Sequence, residues 1–526
     1  MKKNLLIILI DALRFDRLVA GGYKYNLTPN LNKIINKGTL LINHYANGCP
    51  TQVSFPTIFT STYPLDFEGY GEGITKRPKT FAEVFKNNGY QTFGVTTAHT
   101  SGDHFGYNRG FDSFENLLDF YQWFRQNLKV FLREPLRDYK ENKINKKKIL
   151  EILSTNYLEV LNSTLFYIDQ FIELKIKSKN FDVTKNKIRV IKEIEILKKD
   201  PEIILNKFLE FDYWYYLFLG ETKVSNFKRF YISLREKIRD IVNTKVVLFP
   251  RRKFYNAGEV FKRFKIFFNK KKNDMPFMSF IHLFDVHESK NFASRFSISW
   301  IIDVIKLLIY RRFAMGGFVY DLALIQTDRE IGNFFRYLKK NKILDDSKIV
   351  ITSDHGLQSG FPTRKKAMNA NQIAGSDLSQ QFFDEFIHVP LIFYPKTINE
   401  INENSFSSHI DFAPTVLNYC EISEEKNFKG MSIIENNYYR DFVLSENTGS
   451  GLCDIQKKDI FICIRTMNLK ITYVVSDKEI QERDVFYLKN DPYELNNIVK
   501  EKIFEQERKK LFTYCENRIK EIFDYV

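Results

Sequence analysis

The chain has 526 residues, enough for roughly three or four domain-sized units or one large domain with insertions. Hydrophobic residues make up 44% and charged residues 27%, which excludes global disorder and permits a large core. The net charge of +15 is unevenly placed: residues 121–274 hold about 35 Lys+Arg against about 19 Asp+Glu, and the rest is close to neutral. Five scattered cysteines (Cys49, Cys420, Cys453, Cys463, Cys515) form no CxxC pair, which argues against a disulfide framework or a Cys-based zinc site and for a reducing compartment.

Along the chain, "LLIILI" (5–10) is a continuous apolar run, the pattern of a buried parallel strand. It stops at Asp11, too soon for a signal peptide core, and no small-residue cleavage site follows. "TPNLNKIINKG" (28–38) predicts a helix with Pro29 near its start and Gly38 at its end, followed by the strand "TLLINHY". "SFPTIFTST" (54–62) suits a short helix, and "KTFAEVFKNNGYQTFGVTT" (79–97) reads as helix, Gly stop and strand. Residues 119–274 differ in kind, being basic, aromatic-rich and helix-periodic. The α/β rhythm resumes at "MPFMSFIHLFDVH" (275–287). It continues with a helix over 318–340, strands at 348–352 and 389–394, and a helix at 411–420. The reading is an α/β fold with a large, mostly parallel sheet flanked by helices. Its core would span 1–118 and 275–425, with a helical insertion over 119–274 and a smaller C-terminal subdomain over 426–526. No stretch reaches about 18 uncharged apolar residues, since "SWIIDVIKLLIY" (299–310) carries Asp303 and Lys306. A cytoplasmic protein, soluble or peripheral to a membrane, is expected.

Acidic and His residues fall where α/β enzymes place chemistry, at the C-terminal ends of strands. Asp11 follows the first strand, Asp285 and His287 end the strand before "ESK", and Asp354 and His355 sit in "ITSDHG". An adjacent Asp and His at a strand end can offer an oxygen and an imidazole to one divalent metal, although a polar helix cap is the ordinary use of such a turn. In "GCPTQVSFPTIFTST" (48–62) a hydroxyl near a helix N-terminus would meet free N–H groups that favour phosphate or sulfate. Thr51, Ser54 and Cys49 compete for that position, and plain capping by Thr51 is the simplest alternative.

The order "NLLIILIDALRFD", "TPNLNKIINKG", "PTQVSFPTIFTSTYP", "YNRGFDSF", "FIHLFDVH", "IVITSDHG", "FFDEFIHVPLIFY", "SHIDFAPTVL" and "DVFYLKNDPYELNN" resembles the sulfatase family of the alkaline phosphatase superfamily. The resemblance covers nearly all the chain outside 121–274. It implies that Asp11, Asp354 and His355 bind one divalent metal ion (Ca, Mn, Zn or Mg) and that Thr51 both contacts it and acts as nucleophile. His287 would contact the substrate or protonate the leaving group, Asp285 would support it, bind a second metal or meet the substrate, and His388 is a further substrate contact. No lysine occupies the family's usual place before "FFDEFIHVP", so Lys365 is a candidate for substrate binding. His409 and Lys366 are further contributors to consider. The chain departs from the family at "TQVSF" (51–55), which lacks both the Cys or Ser that becomes formylglycine and the following Arg, and at Ala12, where a second aspartate is common. Formylglycine is therefore not expected. A threonine nucleophile resembles the branch with phosphodiesterases, phosphonate hydrolases and phospho-group transferases. The expected activity is metal-dependent hydrolysis of a sulfate or phosphate ester through a covalent threonine. The alternatives are a phosphodiesterase or transferase acting on a glycan or lipid, and a catalytically silent binding protein. His44, His99, His104 and His282 read as packing or surface histidines.

The basic segment, with runs such as "FKRFKIFFNKKK" (261–272), has three readings. It can be a helical cap with inward aromatics, a face for an anionic membrane surface, or a channel for a polyanionic substrate. Sulfated or phosphorylated small molecules, glycans or lipids are the expected partners. Nucleic acid is not expected, because no recognisable nucleic-acid module is present.

Overall fold

The computed structural model describes residues 2–117, 124, 128, 132, 135–173, 183–211, 255–272, 275–289, 298–310, 317–357, 382–396, 405–423, 425–449, 453–477 and 479–524. These form two compact units, 1–117 with 250–526, and 118–249.

The strands of the first unit, in chain order, are β1 (Asn4–Ile10), β2 (Thr39–Leu41), β3 (His44–Tyr45), β4 (Gln91–Thr96), β5 (Ser113–Asn116), β6 (Phe277–Leu283), β7 (Ser347–Thr352), β8 (Leu391–Tyr394), β9 (Ser407–Ser408), β10 (Phe442–Asn447), β11 (Ile460–Thr466), β12 (Leu469–Ser476) and β13 (Glu479–Tyr487). Seven build one sheet in the order β2-β8-β7-β1-β6-β4-β5. The pairs β7·β1, β1·β6, β6·β4 and β4·β5 are parallel, while β8 runs antiparallel to both its neighbours. This is the mostly parallel, helix-flanked sheet expected from the sequence. β1 lies in the middle, and every residue from Leu5 to Ile10 is fully buried, which is why its sequence is apolar without alternation. The ends of β1, β6 and β7 therefore open at one central place, as Leu9 is in register with both His282 and Thr352.

The helix Thr51–Thr60 locks this place from one side. Phe55, Ile58 and Phe59 join the core beneath the large sheet, and Val53 joins the core of the C-terminal sheet. That second sheet, β10-β11-β12-β13, is antiparallel and is backed by the helix Glu505–Asp524 through Leu511, Cys515, Ile519 and Ile522. Arg518 of the helix pairs with Glu446 at 2.8 Å and Asp66 at 2.9 Å, all three side chains being buried. The C-terminal region thus has its own sheet but belongs to the same compact unit as the α/β core.

One boundary in the sequence reading is corrected. The helix Ala257–Lys270, assigned there to the basic insertion, belongs to the unit with the large sheet. Its phenylalanines are core residues. Phe267 stacks on Phe93 at 4.7 Å, Phe261 stacks on Phe334 at 4.1 Å, and Phe264 lies 5.7 Å from Phe277. The lysines that made the segment look like one with its neighbours occupy the opposite, solvated face of an amphipathic helix. The unit 118–249 contains the helices Lys146–Ile152, Leu158–Glu173, Val183–Lys199 and Pro201–Phe211, packed around Leu153, Tyr157, Leu161, Val190 and Phe208. Two deletions should accordingly differ. Removing 118–249 and bridging the ends with a flexible linker should leave a cooperatively melting unit. Removing 119–274 should not, because losing Phe264 alone to alanine would cost about 3–5 kcal/mol. Thermal unfolding followed by circular dichroism separates the two outcomes. Among the described residues no helix is long and apolar enough to cross a membrane.

Candidate active site

Asp11 extends β1 by one residue, its N–H still bonding Leu283 O at 2.8 Å. The next two residues turn onto the end of β7. The Ala12 N–H bonds Asp354 Oδ1 at 3.1 Å and the Leu13 N–H bonds Ser353 Oγ at 2.8 Å. Ala12 adopts φ 63°, a left-handed conformation that alanine rarely takes, and these two bonds hold it there. Asp354 Oδ1 also accepts the His355 N–H at 2.9 Å, so one carboxylate oxygen fixes the loop and the other, Oδ2, is turned toward Asp11 and His355. Gly356 is required by close approach, since a Cβ there would lie 2.0 Å from Glu385 O.

Thr51 is the first residue of its helix and Pro50 is the cap, so the capping reading of Thr51 is excluded. Its hydroxyl instead donates to Asp11 Oδ2 at 3.2 Å and lies 3.1 Å from His355 Nε2. Ser54 is spent on Thr51 O at 3.3 Å, within its own helix. Cys49 is buried, and its thiol lies close enough to His355 to influence the charge of that ring. His287 stacks on Phe284 at 4.4 Å, with its ring 6.2 Å from that of His355.

The electrostatics follow from burial of like and unlike charges together. Burial alone would raise the Asp11 pKa, but His287, the hydrogen bond from His282 and the charge of His355 outweigh it and bring it to about 2. Asp354 is pushed up, first by burial and then by neighbouring Asp11. Burial opposes a charge on His355, yet Asp354, Cys49 and Asp11 raise its pKa well above the usual imidazole range. His287 is raised too, with Asp11 and Glu288 outweighing its burial.

Asp11, Asp354 and His355 each offer a ligand atom within 4.8 Å of the others. Asp11 Oδ1 and Asp354 Oδ2 are buried oxygens that accept no hydrogen bond among the described residues. Buried carboxylate oxygens without donors, beside an imidazole nitrogen, suit a divalent cation.

Other residues named from the sequence are placed elsewhere. Asp285 Oδ1 accepts the Ala257 N–H at 3.0 Å, so that oxygen holds the start of the helix Ala257–Lys270. His388 lies between the rings of Phe15 at 4.3 Å and Tyr45 at 4.5 Å, with Nε2 on Ile42 O at 2.7 Å. Burial lowers its pKa to about 4, so the ring stacks there as a neutral imidazole. His409 bonds Ser353 O at 2.9 Å and supports the loop from behind. Lys365 and Lys366 lie outside the described residues. Phe55, where the family has Arg, is buried against Tyr107, Phe280 and His282.

His282 is the residue that sequence reasoning passed over. It is fully buried on β6, with Nε2 3.1 Å from Asp11 Oδ2 and Nδ1 2.9 Å from Thr96 Oγ1. The signal was available: an imidazole one residue before the end of a fully buried strand needs polar partners, and Asp11 is one residue beyond the adjacent strand.

Three comparisons bear on this arrangement. The family model "Sulfatase" matches residues 3–171 and 206–422, more than half of the chain. The model "N-sulphoglucosamine sulphohydrolase, C-terminal" matches residues 379–521. An N-acetylglucosamine-6-O-sulfatase of Bacteroides thetaiotaomicron is 27% identical over 221 residues, which is 39% of this chain and 36% of the relative. The match therefore spans about a third of that curated relative's length. Among solved structures, a protein in complex with its substrate D-glucosamine-2-N,6-O-disulfate superposes with a TM-score of 0.55 at 15% identity, covering 100% of this chain and 99% of the other. The phosphonate monoester hydrolase of Agrobacterium radiobacter gives a TM-score of 0.56 at 16% identity, covering 100% and 96%. At these identities the two structures speak to the fold.

Proposed function

The chain belongs to the sulfatase family, and from that membership we propose that it hydrolyses a sulfate ester of a sugar through a covalent Thr51 intermediate. The observation that carries this reading is the Thr51 hydroxyl, within hydrogen-bond reach of both Asp11 and His355. Asp11, Asp354 and His355 would hold a divalent cation, which when bound lowers the pKa of a nearby hydroxyl and offsets charge on the transferred group. The Thr51 hydroxyl passes its proton to Asp11 Oδ2, to which it donates at 3.2 Å, as Oγ1 attacks the sulfur and the bond from sulfur to the sugar oxygen breaks. His287, whose pKa Asp11 and Glu288 raise, supplies the proton to the departing oxygen. Water then attacks the sulfo-threonine and releases sulfate. His282 fixes the orientation of Asp11, and the buried ring of Phe284 holds His287 in place. The sugar as leaving alcohol is suggested by the relatives, one an N-acetylglucosamine-6-O-sulfatase and another crystallised with a disulfated glucosamine.

A second reading, a phosphoric or phosphonic ester as substrate, draws on the same hydroxyl. Thr51 stands where the family carries the precursor of formylglycine, and the A. radiobacter phosphonate monoester hydrolase shares the fold. One panel decides: aryl sulfate, glucosamine 6-sulfate, a phosphate monoester, a phosphodiester and a phosphonate, each with Ca, Mn, Zn and Mg. The highest kcat/KM is expected on a sulfate ester. A phosphorus ester turned over faster than every sulfate would replace the first reading by the second.

A further inference from the structure

The helix Ile298–Tyr310 is apolar on the side that should be polar. Its inner face carries the buried residues Trp300, Asp303 and Leu307, and Asp303 is ion-paired with Arg329 of the helix Phe318–Lys340. That anchoring fixes which side faces outward. On the outer side Ile298 is 81% exposed, Ile302 45%, Ile305 51% and Ile309 66%, with Ile301 beside them at 48%. Their spacing of four, three and four residues draws one stripe down the helix. Single exposed apolar residues need no explanation, but a continuous isoleucine stripe on a clamped helix does.

The charges around the stripe point to its occupant. Asp303 is the only acid of the helix, and it is buried and paired. Lys306 is exposed beside the stripe, and Arg311 and Arg312 follow the helix in sequence. At its C-terminal end Tyr310 stacks on Tyr25 at 5.8 Å, and the ammonium of exposed Lys24 sits 4.7 Å from the Tyr25 ring. Aliphatic residues flanked by cations and tyrosines are the makeup of helices that lie in an anionic lipid interface. A second copy of the chain fits less well, since each copy carries +15.

We infer that the face made by Ile298, Ile302, Ile305 and Ile309 docks onto an anionic lipid surface, with Lys306 and Lys24 meeting the headgroups. Such docking is independent of the reaction assigned to Thr51. It would hold the enzyme at a membrane surface.

The test is flotation of the full chain with phosphatidylcholine vesicles, with and without phosphatidylglycerol. The protein should float with the anionic vesicles, less so as salt rises. The double variant Ile305→Ser/Ile309→Ser should lose roughly tenfold or more in partitioning per residue replaced, because each isoleucine contributes its own buried apolar area. Its thermal midpoint should stay unchanged, since these side chains are exposed. Failure of the parent protein to float, or equal flotation of the variant, overturns the proposal. So does a lower thermal midpoint in the variant, which would mean that the chain itself covers the stripe. A parent dimer that becomes monomeric in the variant, seen by light scattering, would assign the face to a second copy instead.

Discussion

Thr51→Ala should lower turnover by about four orders of magnitude or more, the scale on which removal of an attacking group acts. The hydroxyl is the only group of its helix aimed at Asp11 and His355, and the helix is pinned by Phe55, Ile58 and Phe59, so the variant should fold normally. Thr51→Ser should retain partial activity, keeping the oxygen and losing the methyl group that restricts its rotamer. Cys49→Ala is the necessary comparison, because the buried thiol lies two residues before Thr51 and influences the charge of His355. If Thr51 attacks, Cys49→Ala changes rates modestly, and mass spectrometry of quenched enzyme finds the added sulfuryl group on the peptide's threonine. An adduct on Cys49, or full activity in Thr51→Ala, would reverse the assignment. A formylglycine-sized mass change at Cys49 would restore the family's usual chemistry.

Asp354→Ala should abolish both activity and tight divalent metal binding, and His355→Ala should do nearly the same, the latter with little change in melting temperature. Each supplies one of only three clustered ligand atoms among the described residues. Isothermal titration with Mn or Ca reads this without a substrate. Asp354→Ala also frees the Ala12 and His355 N–H groups, so Asp354→Asn, which keeps an acceptor, separates loss of charge from loss of the turn. The pH dependence has a definite sign. His355 is held protonated by Asp354, Cys49 and Asp11 despite burial, and a metal must displace that proton. Affinity should therefore rise with pH. Metal binding of parental strength in both alanine variants would show that the cation, if any, is held elsewhere.

The elements that were legible in the sequence share one property: their chemistry is local. The β1 run, the Asp-His-Gly turn and the helix Phe318–Lys340 each state their period or their turn residues within a few positions. The helix Ala257–Lys270 was misassigned because charge was averaged over a window. Only the sheet beneath it decides that Phe261, Phe264 and Phe267 count for more than the lysines between them. The surroundings of His388 were illegible for a related reason, since nothing in "FIHVP" announces the rings of Phe15 and Tyr45 on either side of it. Asp285 was half legible, as its position at a strand end was clear but its use at the start of a helix required the fold. Thr51 was separated from Ser54 and Cys49 by the resemblance alone, and the place of its hydroxyl beside Asp11 and His355 required the fold.

The clamp between Ala12, Leu13 and the Ser353–Asp354 turn has a consequence for how the protein is made. Its two halves are separated by about 340 residues of chain, and they meet only when β7 adds beside β1. A nascent chain that has produced β1, β6 and the whole 118–249 unit still holds only Asp11 and Thr51 of the cluster. Closing so long a loop is slow, and the gain arrives late. Metal capture should therefore report completion of the sheet, and a chain truncated before Ser347 should bind no cation at this site however well its earlier part is folded.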